Sequence, residues 1–414
     1  MIGLNAIRER RIRPAAGPVG ALRRPDRVAL VGADYPGLRP VLLVAEGDRV
    51  RAGQALFTDR HHPEVAFVAP ASGIVETVAL GAGRRLSVLV VRLDAAPERD
   101  PPTKEVRVGG ARAALLAGGL WPAFRRRPYG RIPAPDEVPE AIFVNAMPDR
   151  DGAPDPQAVL AEAGPGFDRG LDMVAELTGG AVFVCQRRGA AFATPGRERI
   201  CTVYFPDPAA AGLSSHHIAR LGAPAPGGSV WTVGWQDVVA MGELARTGRY
   251  HGQRVIAFHD GRGEAALFPT LLGAELSDLA DLPGDAGAAF RLVSGARIGG
   301  REARFLGRYD TQAALVPVRR VSLFDRLAKH LAAGGKPRPK PILPRAALDT
   351  ALPVAIPPVP LMRALAIGDV EAAERLGARG LVEEDVARLT HLCTSGSDYG
   401  RLLRRVLDRM EGAA

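Results

Sequence analysis

The stretch Glu46-Gly47-Asp48-Arg49-Val50-Arg51-Ala52-Gly53-Gln54-Ala55-Leu56 decides how the first part of the chain folds, and Ala69-Pro70-Ala71-Ser72-Gly73-Ile74-Val75 follows it in the same style. Gly47 and Gly53 stand where tight turns need a positive φ, which glycine adopts without steric cost. Around them lie Val28–Val31, Val41–Val44, Val65–Val68, Ile74–Val78 and Leu86–Leu93, short Val-rich runs separated by Gly and Asp clusters. That is the pattern of many short strands joined by turns.

Phrases of this kind resemble the turns of small lipoyl and biotinyl β-sandwiches, so residues 1–105 are expected to form an N-terminal barrel-sandwich β-module. A lipoyl or biotin carrier needs a Lys at its hairpin tip. The four lysines are Lys104, Lys329, Lys336 and Lys340, so the carrier chemistry is excluded while the scaffold stands.

Residues 96–110 are polar and Pro-rich and read as a linker. Beyond it, over 106–260, Ala141–Ala146, Ala181–Cys185, Ser229–Val233 and Arg254–Phe258 read as buried strands alternating with helical stretches. The clearest helix is expected to begin with Asp237 as N-cap and to continue through Ala245. Alternating strands and helices imply an α/β layer with a largely parallel sheet, and residues 122–140 read as a surface loop leading into it. Residues 261–332 lose the alternation and read as a small β-rich module. Residues 333–360 read as an extended Pro-rich tether. Residues 361–414 read as a helical bundle, with helices near 369–378 and 383–393. A last amphipathic helix carries Leu402, Leu403, Val406, Leu407 and Met410 on one face, a stripe that fits a core better than an interface. The fold class is thus α+β and multidomain.

Hydrophobic residues are 47% and charged residues 24% of the 414, which fits globular protein. Aromatics are 5%, so cores should be built from Val, Leu and Ala. The net charge of +9 is carried almost wholly by Arg. No basic run is interleaved with aromatics as single-strand binders require, which argues against a nucleic-acid partner. The N-terminus lacks the apolar core of a signal peptide. No run approaches the roughly 18–20 apolar residues of a membrane span, so a soluble chain is expected, reaching a membrane only through partners.

Cys185, Cys201 and Cys393 are far apart. Zinc ribbons and iron–sulfur clusters need close Cys pairs, and scattered cysteines suit a reducing compartment. His61-His62 and His216-His217 are the paired histidines; without a carboxylate at helical spacing they read as surface turns rather than metal ligands. Ser215 beside His216 is conceivable as a nucleophile, but Gly-x-Ser-x-Gly is absent and adjacency makes no triad. His259-Asp260-Gly261-Arg262-Gly263 reads as a plain glycine turn before it reads as a phosphate cradle. No dinucleotide loop and no Walker A phrase occurs. Arg125-Arg126-Arg127, after Trp121-Pro122-Ala123-Phe124, has two readings: a site for an anionic headgroup or a partner's acidic loop, or a solvated loop. No catalytic residue and no metal ligand is assigned, and cofactor-binding positions stay unassigned.

An ordered series of phrases resembles the NqrA family, the first component of the sodium-translocating NADH:quinone reductase. It runs Val28-Ala29-Leu30-Val31-Gly32-Ala33-Asp34-Tyr35-Pro36-Gly37-Leu38-Arg39-Pro40, the Glu46-Gly47-Asp48 turn, Ala69-Pro70-Ala71-Ser72-Gly73, Trp121-Pro122-Ala123-Phe124-Arg125-Arg126-Arg127-Pro128, Pro133-Ala134-Pro135-Asp136 and Ala141-Ile142-Phe143-Val144-Asn145-Ala146-Met147. It continues with Ala211-Gly212-Leu213-Ser214-Ser215-His216, Gln236-Asp237-Val238-Val239-Ala240-Met241-Gly242, Phe305-Leu306-Gly307-Arg308-Tyr309, Glu383-Glu384-Asp385 and Tyr399-Gly400-Arg401-Leu402-Leu403.

The resemblance implies a central Rossmann-like domain akin to the flavin subunit of complex I, and a β-grasp-like (SLBB) ligand-binding module. It implies a component without a redox group of its own, at the cytoplasmic face of the bacterial inner membrane. There it would dock on the other subunits, chiefly the integral-membrane, flavin-bearing NqrB. The whole complex would use NADH, FAD, FMN, riboflavin, iron–sulfur clusters and ubiquinone, and a contribution of this chain to ubiquinone binding is implied as well. The flavin-bearing relatives carry Gly-Arg-Gly-Gly-Ala-Gly-Phe and Cys-rich cluster motifs. Neither occurs here; Arg297-Ile298-Gly299-Gly300-Arg301-Glu302 is a superficial echo. The chain also departs from the family at Cys393-Thr394-Ser395-Gly396, where Cys-Pro-Gly-Lys is usual. An electron-input flavoprotein and a free-standing ligand-binding scaffold are the alternative readings.

Overall fold

A computed structural model describes residues 14–15, 17–95, 109–150, 152–161, 165–189, 198–205, 212–222, 224–225, 227–261, 265–280, 290–318 and 341–413. The first strands are β1 (Arg27–Val31), β2 (Pro40–Leu42), β3 (Arg49–Val50), β4 (Ala55–Asp59), β5 (Ala66–Val68), β6 (Gly73–Leu80) and β7 (Leu86–Leu93). They form two antiparallel sheets, β1-β7-β6-β3 and β2-β4-β5.

The two phrases that open the sequence reading pack against each other. Gly47 N–H donates to the Val75 carbonyl at 2.8 Å and Gly53 N–H to that of Ala69 at 2.9 Å. Ser72 Oγ accepts from Ala52 N–H at 3.1 Å. Gly47 and Gly53 hold φ of 92° and 77°, as the turn chemistry requires. Between the sheets Leu56, Phe57, Phe67 and Leu89 are buried, and the rings of Phe57 and Phe67 stack at 4.6 Å.

The central layer comprises α1 (Ala111–Ala117), β8 (Arg125–Arg127), β9 (Ala141–Ala146), α2 (Pro156–Leu160), α3 (Gly166–Ala175), β10 (Ala181–Arg187), β11 (Ile200–Phe205), α4 (Ser214–Leu221), β12 (Val230–Gly234) and α5 (Trp235–Thr247). Its sheet runs β11-β10-β9-β12-β8, parallel except for β8. Ile142, Phe143 and Val144 of β9 are fully buried, as a parallel strand covered on both faces must be.

Two readings are corrected here. Residues 125–127 are an edge strand rather than surface loop, because Trp121 and Phe124 are buried and draw the chain onto the sheet. The helix after β12 begins at Trp235 with Gly234 as its cap, so Asp237 lies inside the first turn and not at the N-cap.

The next strands are β13 (Gln253–His259), β14 (Ala266–Leu271), β15 (Phe290–Ser294), β16 (Arg301–Glu302) and β17 (Gln312–Pro317), with the short helix α6 (Leu276–Leu279) after β14. They form a third unit, ordered β14-β13-β17-β15-β16. Arg254–Phe258, read as a strand of the central layer, therefore belongs to a different sheet. The edge beside β12 is already taken by β8.

The C-terminal helices are α7 (Ala346–Asp349), α8 (Pro358–Ile367), α9 (Val370–Arg375), α10 (Ala387–Leu392) and α11 (Tyr399–Ala413). They share a core of Leu348, Leu361, Met362, Leu365, Leu389, Tyr399, Leu403, Val406 and Leu407. The stripe on the last helix is thus core, with Leu402 half-buried at its border. The extended tether is corrected in part: 346–349 is helical, and Leu348 and Ala351 are buried in the bundle. Residues 333–340 of that stretch lie outside the described residues. Among the described residues no helix is long and apolar enough to cross a membrane.

Helices α3 and α5 cross through glycine. A Cβ on Gly242 would stand 1.8 Å from the Gly166 carbonyl oxygen, and one on Gly170 1.9 Å from that of Val238. Backbone cannot yield as a flexible side chain does. Gly242→Ala and Gly170→Ala should each therefore lose about 1–3 kcal/mol, read as a lowered urea midpoint at unchanged slope. Gly47→Ala probes a different cost, since nothing stands within 4 Å of its Cβ and only the positive φ resists.

Candidate functional site

The chain leaves β9 for β10 and β11 on one side, then returns to β12 on the other. Where strand order reverses in this way, the loops at the carboxyl ends diverge and leave a crevice, the usual seat of ligands in open α/β sheets. A cavity of about 90 Å³ lies there. Asn145 near the end of β9 and Met147 just beyond it line the cavity, as do Gly234 at the end of β12 and Trp235 and Gln236 after it. Arg125, Asp149, Arg254, Arg308, Tyr309 and Glu384 bring charge and a phenol from other parts of the chain.

Asp237, in the first turn of α5, is the charge centre. Its Oδ1 accepts from Arg254 Nη2 at 2.5 Å and from Arg308 Nη2 at 2.8 Å. Burial works to raise this carboxyl, but the Arg308 and Arg254 guanidiniums prevail and hold it below the ordinary carboxylate value. The neighbouring Gln236 grips β13 at both ends of its amide, donating to the Val255 carbonyl at 2.8 Å and accepting from Val255 N–H at 2.7 Å.

Arg308 also reaches the N-terminal module, its backbone N–H donating to Asp34 Oδ2 at 2.9 Å. Arg301 pairs with the same carboxylate. Tyr309 donates to the Pro122 carbonyl at 2.9 Å, with the Arg125 guanidinium 4.9 Å from its ring centroid. Burial pushes its phenol up to about 12. The phrase Phe305-Leu306-Gly307-Arg308-Tyr309 thus joins three units at one point.

The three arginines of β8 settle their own reading: their acidic loop is supplied by the same chain. Arg125 Nη1 donates to Glu384 Oε2 at 3.2 Å. Arg127, only 2% exposed, donates to Ser215 Oγ at 3.1 Å and stands 3.8 Å from Asp385 and 3.7 Å from Glu384. Arg126 points the other way, as strand alternation demands, and pairs with Glu411 at 3.0 Å. Arg131 joins it with bonds to Glu411 (2.7 Å) and Asp408 (2.9 Å). Arg404 closes the set on Glu383 at 2.5 and 2.8 Å. Burial opposes ionisation of Glu383, yet its bonds to Arg404 bring it down to about 2. Asp385 moves the opposite way: burial raises its carboxyl despite Arg127 nearby, and the charge on Glu384 adds to the rise.

The remaining sequence candidates fall elsewhere. His61 is exposed in the turn after β4. His216 and His217 are not on a surface turn: they lie on α4, where Phe205 packs 4.5 Å from the buried His217 ring and His216 Nδ1 meets the Pro353 carbonyl at 2.8 Å. Among the described residues no three His, Cys, Asp or Glu side chains are placed to hold a metal ion. Ser215 donates to Asp385 Oδ2 at 2.6 Å, so its hydroxyl serves the interface and faces no histidine base. Arg262 and Gly263 of the glycine turn lie outside the described residues. Arg297–Gly300 lies in the turn joining β15 to β16, with Gly299 at φ 92°, and Arg301–Glu302 is β16 itself. Cys185, Cys201 and Cys393 are free thiols; Cys393 Sγ meets Ser395 Oγ at 3.1 Å and Tyr399 OH at 3.3 Å.

Sequence reasoning missed Asp149, Arg254, Arg308 and the charge role of Asp237. The available signal was an acidic residue inside a strongly apolar helix start, Trp235-Gln236-Asp237-Val238-Val239, where a buried charge demands partners.

Comparison with known proteins is consistent along the chain. Residues 14–94 match the family model described as the NqrA N-terminal barrel-sandwich hybrid domain, and residues 108–250 match that of the NqrA second alpha/beta domain. The chain is 36% identical over 425 aligned residues to the NqrA component of the Na(+)-translocating NADH-quinone reductase of Pseudomonas aeruginosa, covering 94% of each. The corresponding proteins of Neisseria meningitidis and Pasteurella multocida share 35% and 33%, covering 93% of each chain. A chain of an NAD+-reducing [NiFe]-hydrogenase superposes at a TM-score of 0.38 and 13% identity, over 76% of this chain and 63% of that one, a level that establishes no common fold.

Asp237→Ala should cost about 3–5 kcal/mol in chemical denaturation, because it strands two buried guanidiniums. Asp149 supplies a pH signature. Burial lifts its carboxyl from 3.8 to about 6 in the folded chain, with Glu384 and Asp310 adding to the rise and Arg150 opposing it. The folded state therefore binds the extra proton between those values. The associated stability is fully present below 3.8 and lost as pH rises through about 6. Asp149→Asn should accordingly flatten the fall in melting temperature between about pH 4 and 7 relative to the parent; identical profiles for the two proteins would disprove the assignment.

Proposed function

The chain belongs to the NqrA family of the Na(+)-translocating NADH-quinone reductase, and from that premise we propose that it serves as the NqrA component of a sodium-pumping NADH:ubiquinone reductase. It docks on the membrane subunits, chiefly the flavin-bearing NqrB, at the cytoplasmic face of the bacterial inner membrane, and it carries no redox group of its own. The observation that carries this reading is the alignment with a named NqrA protein over 94% of both chains. In the same reading the central layer is Rossmann-like, with the fold of the complex I flavin subunit, and the sheet built on β13 and β17 is a β-grasp-like ligand-binding module. NADH, FAD, FMN, riboflavin, iron–sulfur clusters and ubiquinone belong to the complex as a whole.

The crevice supports a holding role over an electron-input role. Sites for drug-sized ligands enclose roughly 300–1,000 Å³, against about 90 Å³ here. The rest of the crevice is filled by the pairs Asp237–Arg254, Asp237–Arg308 and Arg125–Glu384. A contribution of this chain to ubiquinone binding stays part of the same reading.

Membranes from cells lacking this chain should lose sodium-stimulated quinone reduction while retaining NADH oxidation with an artificial acceptor. Normal sodium-coupled quinone reduction in those membranes would refute the assignment. The purified chain should show no stoichiometric absorbance band near about 450 nm, the region of bound flavin; such a band would restore the flavoprotein reading.

A further inference from the structure

We propose that the C-terminal helical bundle is a hinged cover over the crevice cavity, latched by the arginines of β8 and by Arg131. The bundle has its own hydrophobic core, to which the rest of the chain lends Tyr129. Apart from Tyr129 and the approach of Val382 to Gly130, its contacts with the body are mainly ionic or polar: Arg125–Glu384, Arg127–Asp385, Arg126–Glu411, Arg131–Asp408, and the bonds from Arg404 to the Tyr129 carbonyl and from Arg150 to that of Glu384. Units with separate cores and a polar interface are expected to move relative to one another. Glu384 is the bundle's contribution to the cavity lining, so undocking the bundle removes one wall.

The latch has an outer and an inner part. Side chains of the outer pairs are part-exposed, 28% for both Arg126 and Glu411 and 17% and 36% for Arg131 and Asp408, so salt screens them. The inner pair, Arg127 and Asp385, is 2% and 0% exposed and is screened little. It carries a desolvation cost that rehydration returns when the bundle swings out, which offsets the exposure of Tyr129 while the other residues of both cores stay packed. Among the described residues, Arg127 Nε and Nη2 and Asp385 Oδ1 have no hydrogen-bond partner while docked, which favours opening further.

Methionine oxidation in the full chain tests this. Met147 lines the cavity and is 2% exposed; Met241 lies in the α/β core and Met362 in the bundle core, both at 0%. With hydrogen peroxide as probe and mass spectrometry as readout, sulfoxide formation at Met147 should rise about tenfold between about 0.1 M and 1 M sodium chloride, with Met241 and Met362 staying slow. The double variant Arg126→Ala/Arg131→Ala, and separately Glu384→Gln, should raise the Met147 rate at low salt. A Met147 rate indifferent to salt and to these variants would overturn the cover. So would a rise shared with Met241 or Met362, because that is unfolding rather than opening.

Discussion

A guanidinium taken out of water must keep its donors occupied and its charge answered, and β8 places three of them on consecutive residues of an edge strand. Alternation along the strand sends Arg125 and Arg127 to one side and Arg126 to the other. Acidic residues therefore have to arrive from two directions. Glu384 and Asp385 meet the first requirement; Glu411, with Asp408 on Arg131, meets the second. One short strand thus sets where a helical bundle from the far end of the chain sits. The same strand ends the central sheet beside β12, which is why β13 pairs elsewhere and founds a separate sheet.

Asp237 does for the body what β8 does for the bundle. Its two oxygens serve Arg254 from the β13 sheet and Arg308 from the loop after β16, and Arg308 reaches on to Asp34 in the N-terminal module. Buried ion pairs of this kind add little net stability over apolar packing, yet they are costly to break singly. Their service is positional: a shift of any one unit strands a charge. The apolar clusters supply the stability. They pack with no comparable demand on angle, apart from the glycine crossing of α3 and α5, where backbone touches backbone.

Much of this was legible in the residues. The turn phrases at Gly47 and Gly53, strand β9 to its end residues and the apolar face of the last helix all follow from local chemistry and periodicity. What escaped was non-local. β8 is three arginines and looks like solvent-exposed chain until its acidic partners, more than two hundred residues away, are known. Ile200–Phe205 has the β-branched and aromatic content of a strand, but as a sheet edge with Cys201 and Tyr204 exposed it lacks the continuous apolar run that marked β9 and β10. The sheet membership of Arg254–Phe258 could not be read from the segment at all, since a buried apolar run is silent about its neighbours.

The crevice shows how a ligand-binding topology can be turned inward. In dinucleotide folds a glycine-rich loop leaves backbone N–H groups free for phosphate, and the helix N-terminus behind it faces the anion. Here the chain leaves β9 through Asn145-Ala146-Met147-Pro148, and the Asn145 side chain takes up the local backbone instead. Its Nδ2 donates to the Gly212 carbonyl at 2.7 Å, and its Oδ1 accepts from Met147 N–H at 3.2 Å. At the start of α5 the favourable place for negative charge holds Asp237, a carboxylate of the chain itself. A second anion there would meet Asp237 at close range, with Arg254 and Arg308 already committed. The groups that would recognise a phosphate in another fold of this topology are spent here on joining three units of one chain.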